Sequence, residues 1–312
     1  MGLSLLGPLL ASAILFGVMA VGVRVAGQEM APLQVAFFRF AGSFLVLLVA
    51  TGGRHLRPKP GNLSRVLFRG MIGAGAISLY FVGIRGAGAG LAALLQSTYP
   101  VFAALLAMAL LGERFTMRLG VALFLNLVGA LLVVGTELRA GVATEVGMAA
   151  ALGSALLSAV AIVTARHLRH SENASLITTY FMAVGTLCTA PSLLAGVPSP
   201  SPTLVTAVAI VVLTSVAAQW LLHHALGFVS AAGASLVAAT GVLTATVLEA
   251  LWFGEAMHVD TVVGGAFMIA AIGLASRQPA MRSGSLWESD QGSGLARGIS
   301  AAEARERRPA RR

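Results

Sequence analysis

The sequence predicts an all-α integral-membrane protein of ten transmembrane helices, arranged as two inverted five-helix repeats. Three observations carry that expectation. Composition is the first: 57% of the 312 residues are hydrophobic and only 11% are charged, with a mean hydropathy of +0.87, more apolar surface than a soluble domain of this length buries in a core. The second is the spacing of apolar stretches, each near the roughly 20 helical residues that cross a hydrocarbon core of about 30 Å. The third is an internal similarity at a constant offset of 142 residues, which carries Glu113 onto Glu255.

The elements follow in chain order. Span one, 5–23, lacks a basic leader, and Leu6 stands where a myristoylation motif carries Ser or Thr, so it reads as a membrane helix. Span two, 33–51, contains Arg39. Spans three and four, 67–84 and 88–111, are joined through the small-residue run GIRGAGAG, and the fourth carries Pro100 before stopping at Gly112-Glu113. Span five is 118–136, and span six, 146–166, ends at Arg166, the offset partner of Arg24. Span seven, 174–195, holds Tyr180 and the single cysteine, Cys188, which has no partner for an intramolecular disulfide. Span eight, 203–222, runs into His223 and His224, read as interfacial histidines. Span nine, 231–253, contains Thr240 and Glu249 and stops at Gly254-Glu255, and span ten is 261–276. Short connections make successive spans antiparallel neighbours.

Basic residues set the orientation, because Lys- and Arg-rich connections stay cytoplasmic. With the N-terminus inside, the inner connections hold Arg54, Arg57, Lys59, Arg65, Arg69, Arg114, Arg118, Arg166 and Arg169, and the tail holds eight more. The outer connections hold Arg24, Arg85 and Arg139. Both termini are expected in the cytoplasm. Residues 277–312 mix eight basic and four acidic residues with Gly, Ser, Ala and Pro and lack apolar periodicity, which reads as a disordered basic tail. The net charge of +9 is thus mostly topology and calls for no nucleic-acid partner.

Between Phe81 and Glu113, eight of 33 positions match those 142 residues later without a gap. A duplication of five spans, an odd number, makes the second copy enter the membrane from the opposite side, as in secondary transporters whose site lies between inverted halves. The expected division is 1–138 for the first repeat, 139–276 for the second and 277–312 for the tail.

The stretch GLAALLQSTYPVFAALLAMALLGERFTMRLGVALFLNLVGALLVV, with its weaker copy LVAATGVLTATVLEALWFGEA, resembles the EamA domain of the drug/metabolite transporter superfamily. The resemblance covers about 5–276. It implies an exporter or permease of amino acids, other small metabolites or toxic compounds, commonly in a bacterial inner membrane. The family's proline in the fourth helix, the glutamate at that helix's end and an arginine early in the second helix fall on Pro100, Glu113 and Arg39. Val242 stands at the repeat position of Pro100, a departure from which the two halves are expected to bend differently.

Candidate site residues come from polar groups inside apolar spans, where a charge costs roughly 2.5–3.5 kcal/mol on insertion scales and usually turns inward. Arg39 and Glu249 qualify most clearly. Both break the repeat, with Phe181 and Ala107 as mates, and both sit about 9 Å from the outer rim at 1.5 Å per residue. They read either as cavity-facing groups, with Glu249 a proton carrier, or with Glu249 snorkelling to the surface. Tyr80, Gln96, Tyr99, Pro100, Tyr180, Trp220 and Thr240 complete the expected substrate pathway. Pro100, in a helix interior, would cost about 3 kcal/mol and reads as a cavity-lining bend or a packing kink. Glu113 and Glu255, at opposite rims, read as structural end markers.

Other function classes lack their parts. A membrane enzyme needs an acid cluster, an activated nucleophile or a metal, whereas the only aspartates are Asp260, in a connection, and Asp290, in the tail. His167 and His170 sit in a basic connection without Cys or Asp nearby, which disfavours a metal. Gly83, Gly86, Gly88 and Gly90 lack the flanking strand of a nucleotide loop; a passive channel or a partner-dependent regulator is the remaining alternative, and no filter segment marks a channel. No cofactor is expected. The expected partners are the lipid bilayer, a small-molecule substrate and a proton or other coupling ion; substrate identity, direction and oligomeric state have no signature in the sequence.

Overall fold

The computed structural model describes residues 3–54, 56–87, 92, 95–113, 115–134, 144–253 and 259–276. All regular structure among them is helical: α1 (Leu3–Ala26), α2 (Pro32–Thr51), α3 (Leu63–Ala87), α4 (Tyr99–Leu111), α5 (Met117–Val134), α6 (Glu145–Leu168), α7 (Ala174–Thr189) with a 3-10 turn (Ala190–Ala195), α8 (Pro202–Ala225), α9 (Ala231–Ala239), α10 (Gly241–Phe253) and α11 (Val259–Ser276). Seven helical stretches of the described residues are long and apolar enough to cross a membrane, one of them α9 and α10 taken together, and α4, α5 and α11 are shorter apolar helices. Large apolar side chains such as Leu45, Val49, Leu110, Leu251 and Trp252 point outward. An apolar exterior of this kind suits lipid rather than water.

Sequence signals at the helix ends act locally. Thr144, Asn173, Ser201 and Ser230 stand in extended conformation before α6, α7, α8 and α9, and each side-chain oxygen accepts a first-turn backbone N–H. Such caps satisfy donors that have no partner inside the helix. Pro32 and Pro202 open their helices, where a missing N–H costs nothing.

The packing repeats itself when the halves are exchanged. α1 packs on α8 as α3 packs on α6; α3 packs on α7 as α8 packs on α2; α1 meets α10 as α6 meets α4; and α2–α7 and α5–α11 pair with their own equivalents. Close approaches use small residues. A Cβ at Gly83 would stand 2.9 Å from that of Ala151 between α3 and α6, and one at Gly129 would stand 2.6 Å from the Gly264 carbonyl oxygen between α5 and α11. Backbones packed this near leave no room for side chains.

The ninth span is interrupted, and at the position equivalent to the interruption in the fourth. Thr98 precedes α4 and Thr240 separates α9 from α10, one offset apart. Thr98 Oγ1 donates to the Leu95 carbonyl at 2.6 Å, and Thr240 Oγ1 donates to Val237 at 2.6 Å. The backbone copies the match: Thr98 to Leu95 and Val101 to Thr98 in one half, Thr240 to Val237 and Leu243 to Thr240 in the other. Both halves thus break at the same place with the same turn bonds, whether proline or valine follows. Pro100 lies in the first turn of α4, not a helix interior, so it removes no intrahelical bond, and a threonine turn makes the break in both halves.

Candidate functional site

The two broken helices border a cavity of about 220 Å3, lined from α1, α3, α6, α7, α8, α9 and α10 and from Gln96, Ser97 and Tyr99. It lies where two hydrophobic clusters join. Met19, Phe181 and Tyr80 belong to one and Ile162, Leu222 and Tyr99 to the other. Much of its wall is alanine, including Ala76, Ala161, Ala165 and Ala238.

One wall is polar and charged. Arg69, in the second turn of α3, is 4% exposed, and its Nη2 donates to His223 Nε2 at 2.9 Å. Gln219 Nε2, one turn earlier on α8, approaches the same ring nitrogen at 3.1 Å. His223 Nδ1 lies 2.7 Å from Thr178 Oγ1, and that hydroxyl donates to the Ala174 carbonyl. Two donors converge on Nε2, so the proton is assigned to Nδ1 and the imidazole is neutral. The Arg69 guanidinium covers the Phe181 ring, 4.6 Å from its centroid, a cation–π contact that spreads the charge without using a donor. Gly73, one turn on, makes the pose possible, since a Cβ there would collide with Arg69 Nη1 and approach the Phe181 ring to 2.7 Å. Arg69 Nε and Nη1 have no hydrogen-bond partner among the described residues.

Another part of the lining is built at the helix break. Gln96 Nε2 donates to Ser158 Oγ at 2.9 Å, and Ser154 Oγ lies 2.8 Å from both Gln96 Oε1 and the Ala76 carbonyl. Tyr99 donates its hydroxyl to the Ser235 carbonyl on α9 at 2.8 Å, linking the two interrupted helices.

Of the residues singled out in the sequence, Tyr80, Gln96 and Tyr99 line this cavity. Pro100 and Thr240 lie buried at the two breaks beside it. Tyr180 packs beside Val66, Leu168, Leu176 and Ile177, and Trp220 is partly exposed, stacked on His224 and bonded to Ser175 Oγ. Arg39 is fully buried outside the cavity lining, its Nε donating to Ser215 Oγ at 2.6 Å and its guanidinium lying over Phe40. Glu249 is carried by α10, but its side chain lies outside the described residues, as does Glu255. Arg69 and His223, assigned from the sequence to a cytoplasmic connection and a membrane interface, are instead wall residues of the cavity. Both lie within a few residues of a helix end, where a positive or ring-polar side chain looks like an interfacial one. The signal that separates them is Gly73 one turn beyond Arg69 and Gln219 one turn before His223.

At the rim nearest this wall, Glu113 Oε1 accepts the N–H of Ala231 at the start of α9 and lies 3.9 Å from Arg166 Nε. Arg166 is thus the arginine it meets among the described residues. Burial raises the Glu113 carboxyl above its ordinary value, opposed by the Ala231 N–H and by Arg166. Arg166 also donates to the Leu226 carbonyl, and Arg169 donates to that of His223. The rim therefore fixes the segment of α8 that carries the polar wall.

Residues 3–135 and 145–277 each match the model of the EamA-like transporter family. No curated protein matches the sequence. A crystal structure of a protein aligns with a TM-score of 0.74 over 88% of this chain and 97% of that one, at 18% identity, a likeness of fold alone.

Proposed function

Because the chain belongs to the EamA-like transporter family, we propose that it is a secondary transporter, an exporter or permease, that moves a small organic solute by alternating access through the central cavity. In this reading the membrane is crossed ten times, as two inverted five-helix halves, with both termini in the cytoplasm of a bacterial inner membrane. The observation that carries it is the pair of helix breaks at Thr98 and Thr240, which make the same turn hydrogen bonds, each within its own segment, and flank one cavity lined from both halves. Helix interruptions at a site between repeats put backbone polar groups within reach of a solute, and exchanging the shapes of the halves would turn the site from one side to the other.

The test needs no knowledge of the solute. Cys188, the single cysteine, is replaced by serine, and Ala161→Cys or Ala238→Cys is introduced in the cavity wall. In sealed vesicles of known orientation, a membrane-impermeant thiol reagent should reach each position from either side. Labelling restricted to one side under all conditions would overturn the alternating-access reading.

A further inference from the structure

We propose that Arg69 binds the carboxylate of the transported solute, so that this chain selects small, otherwise apolar organic monoanions. The assignment rests on the reading of the cavity as the solute site. Arg69 is almost wholly buried and lines the cavity. Among the described residues no carboxylate pairs with it, and its hydrogen-bond partner, His223, is a neutral acceptor. Nε and Nη1 are left without an acceptor among the described residues. Arg39 also has guanidinium nitrogens without an acceptor among the described residues but lies outside the cavity; Arg69 lines it, so an anion entering the cavity completes Arg69 with charge-assisted bonds.

The surroundings define the rest of the solute. Phe181 holds one face of the guanidinium and His223 takes one of its nitrogens, so the group is oriented before any ligand arrives. Gly73 keeps the guanidinium folded against α3. Beyond this wall lie Ala76, Ala161, Ala165 and Ala238, which offer an apolar body contact but no further charge. Among the described residues no carboxylate lines the cavity to offset the repulsion a cationic solute would meet from Arg69. Gln96, whose amide is already engaged by Ser154 and Ser158, supplies no counter-charge either.

The full-length protein in lipid nanodiscs tests this with matched ligands: phenylacetate against phenylacetamide, isovalerate against isovaleramide, and 2-phenylethylamine as a cation. Equilibrium binding is the readout. The carboxylates should bind about tenfold or more tightly than their amides, the scale of one buried charge-assisted contact, and the amine should not bind. Arg69→Lys should retain a reduced preference, whereas Arg69→Gln should abolish it. Gly73→Ala leaves the arginine in place but displaces its guanidinium, and should weaken carboxylates alone. If Arg69→Gln fails to fold, the wild-type comparison and Gly73→Ala still decide. Equal affinity for acid and amide, preference for the amine, a preference that survives Arg69→Gln, or no carboxylate binding at millimolar concentration would each overturn the assignment. Proteoliposome counterflow separates it from the transport reading. Carboxylate binding without exchange refutes transport and leaves the site, and exchange of the amides alone refutes the site and leaves transport.

Discussion

At the scale of single residues, the clearest departures from average chemistry are ionisable side chains placed where water is scarce. Glu113 shows how such a group is held. Its carboxylate takes the N–H of Ala231 at the start of α9, where the helix dipole favours negative charge, yet burial is the larger influence and raises its pKa above 4.5. The folded protein thus binds this proton more tightly than the unfolded chain does. The corresponding stability is full below the unfolded value and is lost as pH rises through the folded one. Melting temperature followed upward from pH 4.5 should therefore fall for the wild type relative to Glu113→Gln, and parallel curves would refute the account. Glu113→Ala should cost about 1 kcal/mol more than Glu113→Gln, because only the amide still accepts from Ala231.

At the scale of elements, the broken helices α4 and α9–α10 show that a proline is not what interrupts them. Val242 occupies the first turn of α10 as Pro100 does in α4. Val242→Pro should accordingly change stability by less than about 1 kcal/mol, because a first-turn N–H has no intrahelical acceptor. Leu248→Pro, in the middle of the same helix, should cost about 3 kcal/mol or more, and equal losses in thermal unfolding would show that the turn at Thr240 is not the end of a helix. The same elements mark what was legible in the sequence. Apolar runs of membrane length located the helices because hydrophobic burial in lipid acts on whole segments. The break in the ninth span left no such trace, since threonine is not a breaker and the mean hydropathy of a window does not register one hydroxyl turned back on a carbonyl. Its visible trace was the identity of Thr98 and Thr240 across the repeat. Arg69 and His223 were hidden for a related reason: near a helix end, hydropathy alone cannot distinguish a side chain that leaves the membrane from one that turns into the protein.

At the scale of the whole molecule, the repeat offset relates the two pairs of helices that bound the cavity. It carries Arg69 onto Val211 and Gly22 onto Thr164, so the α1–α8 contact at Gly22 and Val211 is the counterpart of the α6–α3 region at Thr164 and Arg69. The two are not filled alike. Arg69 lines the cavity, whereas a Cβ at Gly22 would stand 2.8 Å from Val211 Cγ2, a close packing of the two helices at that level. Under the proposed exchange of halves, transport requires this contact to part while its counterpart closes. Gly22→Cys with Val211→Cys, in a Cys188→Ser background, brings two thiols within reach of a disulfide, whose Cβ atoms stand about 3.5–4.5 Å apart. Oxidation should arrest counterflow, and reduction should restore it. Each single cysteine variant should transport under both conditions, which separates locking from damage. A protein that is fully cross-linked, as measured by the loss of free thiol, and still exchanges solute at the uncross-linked rate would show that α1 and α8 do not separate during transport.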